Sequence, residues 1–256
     1  MLLVEDEPVN ASVAQGYLAE LGCTSVWVET GQEAIARSAV ERFDLILMDL
    51  SMPGMDGFTA ASLIRQREGS GRRTPLLALT AHDATGYRAA CLAAGMDDLM
   101  TKPFTLEECA RQLRRWIRDS QTQPAVPAAA PPAREVALAT VDPGTVATLR
   151  NLRAGQHTGL YSKLVDLFRS GSTRSLAELC ESLAADDLTA ADAVCHKLAA
   201  SAANVGALAF AQNVRSLGQM CRAGDAVGAK NLYDCLETAH PLLLQELVRL
   251  QLPESA

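Results

Sequence analysis

Five polar side chains in the N-terminal half stand where they could together handle a phosphoryl group: Glu5, Asp6, Asp49, Thr80 and Lys102. Glu5 and Asp6 directly follow the apolar run Leu2-Leu3-Val4, and Asp49 ends Leu45-Ile46-Leu47-Met48. Thr80 ends Leu76-Leu77-Ala78-Leu79, and Lys102 comes just after Asp98-Leu99-Met100. If those runs are parallel strands of a doubly wound sheet, their carboxyl ends meet at the topological switch point and the side chains share one crevice. Clustered carboxylates repel unless a cation lies among them, and an oxygen donor set with room for water suits Mg²⁺. The expected chemistry is phosphoryl transfer, with a nucleophilic carboxylate, a metal that neutralises charge and two donors for phosphoryl oxygens. A haloacid-dehalogenase-like phosphatase would also place an Asp after a buried strand, but it needs a second Asp two residues on, where Ser51 stands.

The elements that must position these groups are visible in the hydrophobic pattern. Leu2–Val4, Ser25–Val28, Leu45–Met48, Leu76–Leu79 and Asp98–Met100 read as strands. They alternate with amphipathic stretches at Pro8–Leu21, Gln32–Glu41, Gly57–Arg67, Thr85–Ala94 and Leu106–Arg118. Apolar strands alternating with helices predict an α/β doubly wound, five-stranded parallel sheet covered on both faces, spanning residues 1–119. Residues 120–141 carry prolines at 124, 127, 131 and 132 and no helical stripe, which predicts a Pro/Ala-rich linker. As a semi-extended spacer, some 20 residues reach on the order of 60 Å. Residues 142–252 show no strand signal and predict an all-α helical-bundle domain, with Asp142 as N-cap and Pro143 at the first helical position. The helices are expected near Pro143–Leu152, Leu160–Ala185, Thr189–Val205, Ala207–Ala223 and Ala226–Leu252, with a kink at Pro241.

One histidine in the second domain stands apart. Ala191, Val194, Cys195, Leu198, Ala202 and Val205 recur at helical spacing and form the buried stripe. At about 100° per residue, His196 is turned some 160° away from Leu198, so it is expected to face solvent beside Ala199, Ala200 and Ala203. An imidazole on a bare, small-residue surface can be approached closely by another protein. His82, His157 and His240 have no metal-ligand spacing.

The blocks Val4-Glu5-Asp6-Glu7, Met48-Asp49-Leu50-Ser51-Met52-Pro53-Gly54, Leu79-Thr80-Ala81 and Thr101-Lys102-Pro103-Phe104 resemble, in order and spacing, bacterial two-component receiver (response-regulator) domains, which are flavodoxin-like. The resemblance implies that Asp49 is the phospho-acceptor and that Glu5, Asp6, Asp49 and the Ser51 carbonyl hold Mg²⁺. It implies too that Thr80 and Lys102 contact the phosphoryl group. Leu99 stands where the family often carries an aromatic. The segment from Cys195 to Ala207 is similar to the acceptor helix of histidine phosphotransfer (HPt) domains, four-helix bundles, which implies that His196 is a second phospho-acceptor. Ala199 and Ala200 replace the usual Lys and Gly. A receiver followed by an HPt domain resembles the C-terminal part of a hybrid sensor histidine kinase. The implied function is a phosphorelay between Asp49 and His196. Its implied partners are a sensor histidine kinase transmitter and a downstream response regulator. The alternative is a docking module of such a kinase that works without phosphate.

Composition narrows the rest. With 48% hydrophobic and 21% charged residues the chain reads as soluble and globular. Its net charge of −7, without a Lys/Arg run, argues against nucleic acid as the main partner. No apolar run approaches the roughly 20 residues of a membrane span, so no direct membrane insertion is expected. Seven cysteines without regular spacing fit reduced thiols and a cytoplasmic location. The chain opens directly on a strand-like segment, as a piece of a longer protein would, and in that case it could be tethered to the inner membrane. It shows no Gly-rich ATP lid, so the phosphoryl group is expected to come from a partner.

Overall fold

The computed structural model describes residues 1–68, 73–80, 84–117, 140–152 and 159–251. Nearly all of the expected linker, together with His82 and His157, lies outside the described residues. The N-terminal part is a parallel sheet of β1 (Leu2–Val4), β2 (Val26–Val28), β3 (Ile46–Asp49), β4 (Leu76–Thr80) and β5 (Asp98–Thr101), in the order β2-β1-β3-β4-β5. Its helices are α1 (Pro8–Glu20), α2 (Gly31–Val40), α3 (Gly57–Glu68), α4 (Ala84–Ala93) and α5 (Leu106–Trp116). In a pleated strand neighbouring side chains point to opposite faces, and these strands divide accordingly. Leu2, Val4, Ile46, Met48, Leu76, Ala78 and Leu99 pack with Ile35 of α2, Ala60 and Ile64 of α3 and Cys91 of α4. Leu3, Leu47, Leu77, Leu79 and Met100 pack with Val9, Val13 and Leu18 of α1 and with Cys109 and Leu113 of α5. Both faces are thus covered, as apolar strands of this kind require.

The C-terminal part is helical: α6 (Pro143–Asn151), α7 (Leu160–Ala184), α8 (Leu188–Asn204), α9 (Leu208–Ala223) and α10 (Ala226–Arg249). Helices α7 to α10 pack each on the next, and α10 closes back on α7. Aspartate side chains cap three of the N-termini: Asp142 accepts from the Thr145 amide, Asp187 from Ala190 and Asp225 from Gly228, each satisfying an otherwise orphan donor. Pro143 occupies the first turn of α6, and α10 runs through Pro241. Beside that proline His240 is buried, its Nε2 2.8 Å from Ser172 Oγ, and burial lowers its pKa. All seven cysteines are free thiols.

Helix α1 joins the two parts. It is buried nearly all round, with Val9, Ala11, Val13, Ala14, Gly16 and Leu18 inside, as a helix with partners on two sides must be. One side lies on the sheet and the other on α7 and α8. Gly16 makes the second contact possible, because a Cβ there would sit 2.7 Å from Leu160 Cδ2. One continuous apolar core therefore runs from Leu3 and Val13 to Leu160, Leu164 and Phe168.

A close backbone approach also fixes the end of β3. Gly57 opens α3 with its amide on the Leu50 carbonyl at 3.1 Å, and a Cβ on Gly57 would come 2.2 Å from the Asp49 carbonyl oxygen. Gly57→Ala is therefore expected to destabilise the N-terminal domain by about 1–3 kcal/mol, seen as a lower urea midpoint; an unchanged midpoint would mean that the β3–α3 junction yields easily.

Candidate functional site

Pairing of β3 with β1 on one side and β4 on the other brings the carboxyl ends of these strands together. The strand order reverses between β1 and β3, which opens the crevice there. Glu5 is 1%, Asp49 4% and Thr80 3% exposed. Oxygens of Glu5, Asp6 and Asp49 lie within 4.8 Å of one another. The Lys102 ammonium sits 2.8 Å from Asp49 Oδ2 and 2.5 Å from Glu5 Oε2. Asp49 Oδ1 accepts the Ser51 amide at 3.1 Å. The sequence-predicted set of Glu5, Asp6, Asp49, Ser51, Thr80 and Lys102 is thus assembled at one end of the sheet. Leu99, by contrast, is buried in the core on the α2–α4 face.

The electrostatics follow from burial. Loss of water raises the Glu5 carboxyl to about 7, against the pull of Lys102 and with a further push from Asp49. For Lys102, desolvation is outweighed by the two carboxylates, and its pKa lies above the usual lysine range. Asn10 of α1, which sequence reading passed over, donates to Glu5 Oε1 at 3.0 Å and so supports the carboxylate from the other side. The Trp27 indole N–H donates to the Glu5 carbonyl at 2.8 Å, tying β2 to the start of the site.

The surroundings of His196 differ from the sequence expectation. Ala199, Ala200 and Ala203 are 2%, 4% and 3% exposed and His196 is half-buried, so the expected bare surface is covered. The cause is tertiary: α8 lies between α1 of the N-terminal domain and its own neighbour α9. Two polar contacts fasten this junction. Lys197 forms an ion pair with Asp6, and Asn204 Nδ2 donates to Asn10 Oδ1 at 2.8 Å. A cavity of about 200 Å³ remains, lined by His196, Cys195, Ala199 and Ala200 of α8, by Lys102 of the sheet crevice, and by residues of α9. The lysine that holds Asp49 and the histidine of the bundle thus face one space. The buried stripe itself is as predicted, with Ala191, Cys195, Leu198, Ala202 and Val205 inside.

A doubly wound domain with an acidic crevice is thus packed on a helical bundle whose His196 shares a cavity with Lys102 of that crevice. Residues 1–114 match the response regulator receiver domain family and residues 163–251 the Hpt domain family; the chain is a two-component signalling protein with a receiver domain followed by an Hpt domain. The sensor histidine kinase AruS of Pseudomonas aeruginosa is 34% identical over 232 residues, which cover 90% of this chain and 21% of that protein. The sensor histidine kinase GacS of Pseudomonas protegens is 39% identical over 118 residues, 45% of this chain and 13% of that protein. The chain therefore spans a minor part of these relatives. A receiver domain of a Pseudomonas aeruginosa sensor histidine kinase, solved with magnesium in its active-site cleft, is 46% identical; the match covers 45% of this chain and 94% of that one, with a TM-score of 0.42. No described helix is long and apolar enough to cross a membrane.

The raised Glu5 pKa has a signed consequence for stability. The folded protein holds a proton at Glu5 that the unfolded chain releases near 4.5, so without divalent metal stability falls as pH rises from about 4.5 through about 7. Glu5→Gln is expected to remove this loss, raising stability by about 1–3 kcal/mol at pH 8 in metal-free buffer and not below pH 4.5. Urea midpoints against pH check it; a variant less stable than wild type at pH 8 would show that the Lys102 ion pair outweighs the burial of the charge.

Proposed function

We propose that this chain is a phosphorelay station in which Asp49 and His196 are the two phospho-acceptors. Asp49 takes a phosphoryl group from the phosphohistidine of a sensor kinase transmitter and His196 receives it for a downstream response regulator, or the flow runs in reverse. The observation that carries this reading is the shared cavity, with Lys102 on one wall and His196 on the other. Transfer in line needs positioning and charge neutralisation above all. The shared apolar core positions the two domains, and Lys102 and Thr80 are the donors beside Asp49. The docking-only alternative is not favoured by a receiver and Hpt pair.

The donor set fits Mg²⁺: three carboxylates, oxygen ligands only, close enough to share one hard cation. Glu5, Asp6, Asp49 and the Ser51 carbonyl would hold it. When bound it neutralises charge on the phosphoryl oxygens. The protein's own groups do the rest: Asn10 and Trp27 steady Glu5, the Ser51 amide orients Asp49, and Lys102 stays charged within reach of the acceptor oxygen. The domains are proposed to span residues 1–119 and 142–252, joined by the linker at 120–141. The chain is proposed to be the C-terminal part of a hybrid kinase working in the cytoplasm, tethered to the inner membrane through the rest of that protein.

Acetyl phosphate and Mg²⁺ are expected to label Asp49 and then His196, with Asp49→Asn or excess chelator abolishing both. Because both proposed acceptors belong to one chain, with an effective concentration near millimolar, transfer within the wild-type chain is expected to outrun transfer from His196→Gln chains to Asp49→Asn chains mixed at micromolar concentration. Equal rates would sink the intrachain route, and label that never reaches His196 would sink the relay.

A further inference from the structure

The cavity between the acceptors holds more positive charge than its ion pairs consume. Its wall carries Lys102, Arg215 and Arg222, with Asp192 as its one acidic residue among the described lining. Lys102 is held by Glu5 and Asp49. Arg222 of α9 is paired with Asp192 of α8. Lys197, next to His196 in sequence, is turned away and paired with Asp6. Arg215, on α9 two turns before Arg222, is half-buried and makes no hydrogen bond or ion pair with a described residue. Burial lowers its pKa, and no described carboxylate opposes that fall. A guanidinium that has given up water without gaining a partner costs stability, and an anion entering the cavity would offset that cost.

On the acceptor helix itself the position one turn beyond His196 is Ala199, which lines the same cavity and bears no charge. We propose that Arg215 supplies from α9 the cation that α8 lacks, binding the phosphoryl oxygens when the group is on His196. The assignment rests on the relay reading above. In the transfer step the bond from phosphorus to the Asp49 carboxylate oxygen breaks as a bond forms to the unprotonated ring nitrogen of His196. The carboxylate leaves with the electron pair, and the imidazole keeps the proton on its other nitrogen. The incoming group carries two negative charges away from Lys102, and Arg215 meets them with a planar fork of donors suited to phosphate.

The test charges the full chain with acetyl phosphate and Mg²⁺ and measures the steady-state ratio of phospho-His196 to phospho-Asp49. A charge-assisted hydrogen bond predicts that Arg215→Ala lowers the ratio about tenfold. Arg215→Gln should lower it similarly, whereas Arg215→Lys keeps it within about threefold of wild type. Added salt should lower the wild-type ratio and leave the Gln variant nearly unmoved. A ratio unchanged in Arg215→Ala, or lowered alike by Lys and Gln, overturns the assignment while leaving the relay intact. Absence of label on His196 in the wild type overturns the relay and the assignment with it.

Discussion

Helix α1 is packed on two sides, and the geometry of both the Asp49 crevice and the His196 cavity depends on it. Its sheet side carries Val9, Val13 and Leu18 into the core beneath β1 and β3, which sets where the loop bearing Glu5 and Asp6 leaves the strand. Its opposite side has small residues, above all Gly16, so α7 can close in until Leu160 touches the backbone. Asn10 then serves both parts at once, donating to Glu5 and accepting from Asn204. A larger residue at 16 would push the bundle away and with it the wall of the cavity that holds His196. The apolar contact favours this packing, burial of such surface contributing roughly 25 cal/mol per Å², and the Lys197–Asp6 and Asn204–Asn10 contacts add specific pairings across it.

Charge governs the second level of organisation. Buried ions persist only when paired, and the crevice pairs Lys102 with Glu5 and Asp49. These same carboxylates are the ones suited to a divalent cation, and Asp6 is shared between that cluster and Lys197 of the bundle. Asp6 thus belongs both to the carboxylate cluster of the crevice and, through Lys197, to the contact between receiver and bundle.

The covered face of α8 also bears on how the bundle meets other proteins. Any protein docking on this face of α8 would meet the chain's own receiver domain, fastened there at Asp6 and Asn10. Such docking would require the Lys197–Asp6 and Asn204–Asn10 contacts to part.

What the sequence by itself determined was the local order: five strands from their apolar runs, the carboxylates at strand ends, the buried stripe of α8 and the caps at Asp142 and Pro143. These follow from periods of two and 3.6 residues and from backbone groups that need a cap, all of which operate over short stretches of chain. Glu5, Asp49, Thr80 and Lys102 were legible as a site because a parallel doubly wound sheet has one place where strand ends converge. Tertiary structure alone decided the surroundings of His196. Periodicity says which face of α8 avoids its own bundle, but not that another domain covers that face. The contacts that do so join residues as far apart as Asp6 and Lys197, 191 positions in sequence. Arg215 belongs to the same class: on α9 it is one more charged residue until packing turns it into the cavity beside His196, where no described residue pairs with it.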